Sequence, residues 1–548
     1  MSTMTKRRLS VGNSVLGDLQ KKYEQGVRLL DQGRTDDALI RFRKVVAADP
    51  LHFQALTVLC RTLMALGRAD EVVRILDDAA AAAPEDEKHL LELAGICFTF
   101  KYVQRAEELY RRVLTIDPDA FVALGNLAGI VVEQAHYQEA VDLVSHALEI
   151  RPDTAECYNT LGRALAGAAM YEEAEASYRR AISLNPDLPT VYANYGALLD
   201  IVGRQQEALK LLQIALNINP DCDGTRWNLA RALLATGHIE AGWDMYGFGF
   251  ACGERTPYRP FPGLIWEGED LTDKTLMVWR EQGLGDDLYF STCYHELIGE
   301  VGHLIIETDP RLVPLYARTW PKATVRAETG TSTGLGNCDT VDFDVTAPAG
   351  IVASRRRRSL DSFPANPPVL VADPVRRQAA REWLSTLGPG PRIGFCWRSS
   401  VRNHVRSSFA TKLEHWTEFL KQDGIQVVSL QYGGADEEIA EAEEKYGIRI
   451  HRMPGLDTMN DLEGTAALTA ELDFFVAQWN ASSEMAGALG IPGVVYLPAG
   501  NPVMLGTGLI PWHPCLRPFQ IKPGFDPLAL AGAMGGEALT QLRAAGKL

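Results

Sequence analysis

Cysteine is present in this 548-residue chain but never patterned. The nine thiols (Cys60, Cys97, Cys157, Cys222, Cys252, Cys293, Cys338, Cys396, Cys515) form no CxxC pair and show no ligand spacing, which argues against a disulfide framework or a zinc site and for a cytoplasmic protein. No run of 18 apolar residues occurs, and Lys6, Arg7 and Arg8 lead into no apolar stretch, so neither a membrane span nor a signal peptide is expected. The eleven histidines show no HxxxH or HExxH spacing, and no metal is expected. Positive charge is short, with 54 Lys and Arg against 70 Asp and Glu for a net −16, which argues against a nucleic-acid partner. At roughly 100–200 residues per domain the length predicts about three or four structural units.

What is present is a period. Prolines 50, 84, 118, 152, 186 and 220 recur every 34 residues, four of them after Asp or Asn. Ala38, Ala106, Ala140, Ala174 and Ala208 mark the start of a second helix in their periods. Gly26, Gly162 and Gly196 stand twelve residues earlier on the first helix, where a small residue lets two helices cross closely. Phe42, Tyr110 and Tyr178, with Ala147, Ala181 and Ala215, are expected in the space between neighbouring helix pairs. The pattern predicts an α-solenoid of six repeats over about 19–222, capped by a partial seventh at Trp227–Trp243, within an array bounded at 19–250 and preceded by a flexible lead-in, 1–18. Its hollow face suits an extended peptide, and Asn126, Asn159, Asn194 and Asn228 recur on first helices as candidate grips on peptide backbone; an assembly role and ordinary surface asparagines are the alternatives.

Tyr258-Arg259-Pro260-Phe261-Pro262-Gly263 breaks the helical pattern, and 251–270 reads as a linker. Short apolar runs then alternate with helical stretches. Strands are predicted at 275–279, 303–307, 323–326 and 340–344, then at 392–397, 425–430, 472–476 and 493–497. The fold class is therefore a helical solenoid followed by α/β, with two doubly wound domains, 271–370 and 371–548, joined by the Pro-rich passage 364–374 and sharing a cleft at the carboxyl ends of their strands. Arg280-Glu281-Gln282-Gly283-Leu284-Gly285-Asp286-Asp287 follows the first strand: two glycines for a tight turn, then two carboxylates for the first turn of a helix, where its dipole keeps them ionised. An ionised carboxylate there can act as a general base or simply cap the helix. Trp479-Asn480-Ala481-Ser482-Ser483-Glu484 opens a small-residue helix whose N-terminus suits a phosphate; an ordinary Ser N-cap is the alternative.

Glu281–Asp286, Gly394-Phe395-Cys396-Trp397, Leu430-Gln431-Tyr432-Gly433 and Glu484–Pro492 together resemble the heptosyltransferase-type family 9 glycosyltransferases of GT-B fold over about 270–520. Repeats followed by such a domain are similar to bacterial tetratricopeptide glycosyltransferases, including alphaproteobacterial flagellin glycosyltransferases. The resemblance implies an inverting, metal-independent, cofactor-free enzyme of the cytoplasm that transfers a sugar from a nucleotide donor to Ser or Thr of a protein held by the repeats. Flagellin, hence bacterial motility, is the implied acceptor, and a CMP-nonulosonic acid such as CMP-pseudaminic acid the implied donor.

The resemblance also makes Asp286 the base, with Asp287 as fallback and Gln282, Gly283 and Gly285 forming the acceptor loop. It places Arg398, Arg406, Gln431, Glu437, Asn480, Ser482, Ser483 and Glu484 at the donor, Arg406 meeting the leaving phosphate and Lys412 a lesser candidate. Two departures stand out: Trp479-Asn480 replaces the family's Asp-Thr pair, and Glu484 stands where relatives carry His, which argues against an ADP-heptose donor. A glycan or lipid-linked saccharide acceptor and a non-catalytic scaffold are the rival readings. Arg355-Arg356-Arg357-Arg358 reads as a solvated loop or a steering patch, and His513 as packing.

Overall fold

The computed structural model describes residues 3–259, 261, 264–328, 341–365, 370–399 and 409–548, with side chains from Gly17 onward. It divides into two compact units, Met1–Pro186 and Asp187–Leu548.

The first unit consists of paired helices: Thr3–Asp31 with Thr35–Ala48, Phe53–Ala65 with Ala69–Ala82, Glu87–Thr99 with Val103–Ile116, Phe121–Glu133 with Tyr137–Ile150, and Ala155–Gly167 with Tyr171–Leu184. The expected lead-in is thus the start of the first helix. A period of 34 is also written in the backbone. Gly33, Gly67, Lys101, Ala135 and Ala169 sit between the helices of each pair with φ between 62° and 74°. This left-handed residue ends the first helix, and the following N–H closes the turn, as when Arg34 N–H donates to Leu29 O and Tyr102 N–H to Cys97 O, each at 2.9 Å. Lys101, Ala135 and Ala169 adopt the conformation despite carrying a Cβ. The helical glycines act as expected: a Cβ on Gly26 would lie 2.6 Å from the Phe42 ring, and one on Gly162 2.6 Å from the Tyr178 ring. Both aromatic rings are buried, and they pack against the first helix of their own pair, not only between neighbouring pairs as expected, because the glycine leaves room for them there.

The second unit begins with two more pairs, Pro189–Ile201 with Gln205–Ile218 and Asp223–Ala235 with Ile239–Met245, turned by Gly203 and Gly237 at φ 78° and 84°. Two parallel sheets follow. The first holds β1 (Leu264–Ile265), β2 (Thr275–Trp279), β3 (His303–Thr308), β4 (Thr324–Ala327) and β5 (Val345–Pro348) in the order β1-β5-β2-β3-β4. The second holds β6 (Arg392–Cys396), β7 (Gln426–Ser429), β8 (Phe474–Gln478), β9 (Gly493–Pro498) and β10 (Leu516–Ile521) in the order β10-β9-β8-β6-β7. Their near-continuous apolar sequences fit strands covered on both faces. The fourth predicted strand lies later than expected, at 345–348, and β1 and β10 were not anticipated.

One core runs from Trp227 and Trp243 of the last helix pair through Leu276 and Val278 of β2 to Val495 and Leu497 of β9. The expected linker is part of this body: β1 pairs with β5, Arg255 is 1% exposed, and Arg259 is 3% exposed and donates to Glu307. A Cβ on Gly506 would lie 2.6 Å from the Gly237 nitrogen, so the 498–508 loop and the last helix pair meet backbone to backbone. Among the described residues no helix is long and apolar enough to cross a membrane.

Candidate functional site

In each sheet the chain reverses direction at one place. After β2, β3 and β4 are laid to one side, β5 is placed on the other side of β2; after β6 and β7, β8 takes the other side of β6. Carboxyl ends of strands at such switch points leave a crevice for ligands. The loops after β2 and β8 both open into one cavity of about 1010 Å³ within the second unit, whose third wall is formed by Asp200, Asn228 and Arg231 of the two helix pairs.

The turn after β2 is held from behind. Glu281 is fully buried, accepts from Arg255 Nε (2.6 Å) and Nη2 and from the Gly350 N–H (2.6 Å), while the Arg255 guanidinium lies 4.1 Å from the Tyr246 ring and 3.9 Å from that of Phe250. Gln282 takes φ 57°, unusual for a side-chain-bearing residue, and is fixed there by its N–H donating to Thr256 O and its Nε2 donating to Tyr246 Oη (2.9 Å). A helix, Leu284–Phe290, starts at once. Asp286 Oδ2 accepts from the Gly283 N–H (3.1 Å), so the carboxylate caps the helix and lies on the cavity wall together.

Asp287 faces the opposite way. It is fully buried, accepts from Thr308 Oγ1, leaves Oδ1 without a partner, and is pushed up to about 7 by burial. It does not reach the cavity, which removes the fallback base.

Across the cavity, Asn480 Oδ1 accepts from the Ser482 N–H (2.9 Å) and Ser483 N–H (3.3 Å), and Ser483 Oγ accepts from the Asn480 N–H (2.8 Å). Helix-end donors expected for a phosphate are therefore already used by the helix's own cap. Asn480 Nδ2 reaches Cys396 Sγ (3.3 Å) and the Ser399 N–H donates to Gln478 Oε1 (2.8 Å), which ties the ends of β6 and β8 together. Glu484 is 2% exposed and shares a hydrogen bond with His513 Nε2 (2.8 Å). A Cβ on Gly487 would stand 2.4 Å from His513 Cγ, so only glycine there admits the imidazole. Burial pushes Glu484 well up, with the Asp286 charge adding to it, and pushes His513 down to about 3. Gly285 brings the two lobes together: a Cβ on it would meet Glu484 Cγ at 3.4 Å.

Of the expected site residues, Gln282, Gly283, Gly285, Asp286, Asn228, Asn480, Ser482 and Glu484 line the cavity. Others do not. Ser483 is buried in the cap. Arg398 donates to Glu438 from Nε (3.0 Å) and Nη2 (2.8 Å), and Gln431 is spent on the Arg398 backbone, accepting from its N–H (3.1 Å) and donating to its carbonyl (2.9 Å). Glu437 and Lys412 are exposed on the surface. Arg406 lies outside the described residues. Asn194 is half-buried away from the wall, and Asn126 and Asn159 belong to the first unit, where Asn126 Nδ2 donates to Tyr110 Oη (3.0 Å) instead of standing ready for a ligand. The basic run straddles a helix end: Arg355 and Arg356 close the Ala349–Arg356 helix and Arg357 and Arg358 follow it, with Arg355 exposed while Arg356 pairs with Glu300, Arg357 with Glu296, and Arg358 with Asp244 and Glu240.

Sequence reasoning missed Arg255 and gave Glu281 no role. A charged residue directly after a buried strand was the available signal for Glu281. Nothing local pointed to Arg255 or to the repeat wall of Asp200 and Arg231, which stand 3.6 Å apart with Asp200 raised by burial against the pull of Arg231.

Tetratricopeptide-repeat models match residues 29–94 and 119–187, so the chain carries these repeats. The chain is similar to Protein FlbA of Caulobacter vibrioides (strain ATCC 19089 / CIP 103742 / CB 15), 34% identical over 303 residues that cover 53% of this chain and 50% of that one. It thus spans about half the length of this relative. Solved structures similar to it include a tetratricopeptide repeat protein from Parabacteroides merdae ATCC 43184 (16% identity, 43% of this chain and 93% of that chain, TM-score 0.38) and MamA from Desulfovibrio magneticus RS-1 (18% identity, 32% and 98%, TM-score 0.27).

Proposed function

We propose that the second unit is a GT-B-type glycosyltransferase, inverting and metal-independent, and that the repeats present a protein hydroxyl to it. The observation that carries this reading is Asp286: an acid at the positive end of a helix, on a cavity at the switch points of two parallel sheets, with a wall of repeat side chains opposite. Asp286 takes the proton of a Ser or Thr hydroxyl as its oxygen attacks the anomeric carbon of a nucleotide sugar. Asn228, Arg231 and Asp200 offer both donors and acceptors to the peptide backbone that carries the hydroxyl. Flagellin as acceptor and a CMP-nonulosonic acid as donor rest on the family resemblance, as does a cytoplasmic location.

The test is transfer of radiolabelled sugar from a panel of CMP-, UDP-, GDP- and ADP-sugars to flagellin and to other candidate acceptor proteins. Asp286→Asn should abolish transfer while leaving nucleotide-sugar binding intact; unchanged transfer by that variant would remove the base role. A second reading, a scaffold without transfer, draws on the helix-end donors spent on Asn480 and on Arg398 held by Glu438. Absence of thermal stabilisation by every nucleotide sugar in the panel would favour it.

A further inference from the structure

Glu484 is a carboxyl on the cavity wall whose side chain is only 3% exposed and which, among the described residues, has no lysine or arginine partner. The groups facing it are Asp286 and Tyr289 from the Leu284–Phe290 helix and His513 from the turn at 511–514. Asn480 and Ser483 at the head of its own helix are occupied with each other. The Asp286 charge disfavours ionisation of Glu484. Asp286 has a helix N-terminus and a backbone N–H to stabilise its anion; the Glu484 carboxyl has an imidazole 2.8 Å away and, among the described residues, no other hydrogen-bond partner. Burial opposes charge on Glu484 and on His513 alike, which favours the neutral form of the pair, a carboxylic acid hydrogen-bonded to an uncharged imidazole.

We propose that Glu484 is the acid that complements Asp286 in the transfer reaction, with His513 as the residue that positions it; the inference rests on the glycosyltransferase reading above. As the acceptor O–H bond breaks, its proton goes to Asp286 and its electron pair forms the bond to the anomeric carbon. The bond from that carbon to the phosphate oxygen breaks, its pair leaving with the nucleotide, and Glu484 gives that oxygen its proton. Asp286 then loses its proton to solvent and Glu484 takes one up, so the net change is one proton moved from hydroxyl to nucleotide. Carboxyls of one site held in unlike environments divide acid and base roles in this way.

The experiment uses the full chain. Infrared difference spectra at pH 7, wild type minus Glu484→Gln, should contain the C=O band of a protonated carboxylic acid, whatever the activity. In transfer assays, Glu484→Gln should lower kcat by about 100-fold or more with little change in KM for the nucleotide sugar, and should remove the alkaline limb of the kcat–pH profile. His513→Asn should lower kcat by less than Glu484→Gln does and move that limb to lower pH, because the acid loses the imidazole that accepts its proton. Absence of the carboxylic band overturns the proposal. So does wild-type kcat in Glu484→Gln alongside an inactive Asp286→Asn, a result that leaves the parent reading standing. A wild-type chain that transfers no sugar from any donor sinks the parent reading and the acid role with it.

Discussion

Breaking the Arg255–Glu281 pair tests whether the turn that carries Asp286 is held from behind. Both side chains are fully buried, and Glu281 also accepts from the Gly350 N–H. Replacing Glu281 by Gln keeps the volume but leaves the Arg255 guanidinium buried without a counter-charge and turns one accepting oxygen into a donor. Removing one partner of such a pair costs about 3–5 kcal/mol. Tyr246 and Phe250 continue to cover the guanidinium, so the lower half of that range is expected. At about 1.4 kcal/mol per factor of ten, the turn should open roughly 100- to 700-fold more often. Because the chain holds two units, global unfolding is a poor gauge. Hydrogen exchange of peptides covering 276–290 in the full-length protein reads the local opening directly. Protection there should fall by about two to three orders of magnitude while peptides from 87–150 are unaffected, and Arg255→Met with Glu281→Met should recover much of the loss by removing both charges. Unchanged protection at 276–290 in Glu281→Gln would refute the claim that this pair fixes the turn.

Glycine at the strained turn positions should help the repeats: Lys101→Gly, Ala135→Gly and Ala169→Gly each relieve a left-handed residue and should raise stability by about 1 kcal/mol in denaturant titrations, whereas the same exchange at the helical Ala123 should lower it. Gly162→Ala should destabilise by about 1–3 kcal/mol because its Cβ meets the Tyr178 ring, while Gly125→Ala, with nothing within 4 Å, should be neutral or stabilising; equal effects on thermal midpoint would contradict the packing account. Asp287 gives a pH signature. Its folded value, about 7, lies above the ordinary 3.8 of an aspartate, so its contribution is fully present at low pH and is lost as pH rises between them. His513, lowered from 6.5 to about 3, acts with the opposite sign, losing stability as pH falls through that window. Asp287→Asn should therefore gain stability relative to wild type on going from about pH 4 to pH 7 in denaturant midpoints, and a constant difference would exclude the buried-carboxylate account.

The candidate site was half legible in the sequence. Asp286 and the 479–484 turn were found because a strand followed by glycines, or by an Asn-Ala-Ser-Ser run, announces a tight turn into a helix. Arg398 and Gln431 were misjudged because a polar residue at a strand end serves either a ligand or its neighbours. Only its partner, Glu438 for Arg398 and the Arg398 backbone for Gln431, decides which.

By itself the sequence determined what is local and periodic. The 34-residue repeat, its tight-packing glycines and most of the buried strands follow from spacing and from the few conformations each residue type allows. Tertiary structure alone decided what depends on direction and on distant chain. Asp286 and Asp287 are neighbours about 100° apart around a helix, so one reaches the cavity and the other the core. Glu484 met His513, and Arg255 met Glu281, only when the sheets and the last helix pairs closed on one another, because a buried charge or acid is specified by the partner folding brings to it and not by the residues beside it in the chain.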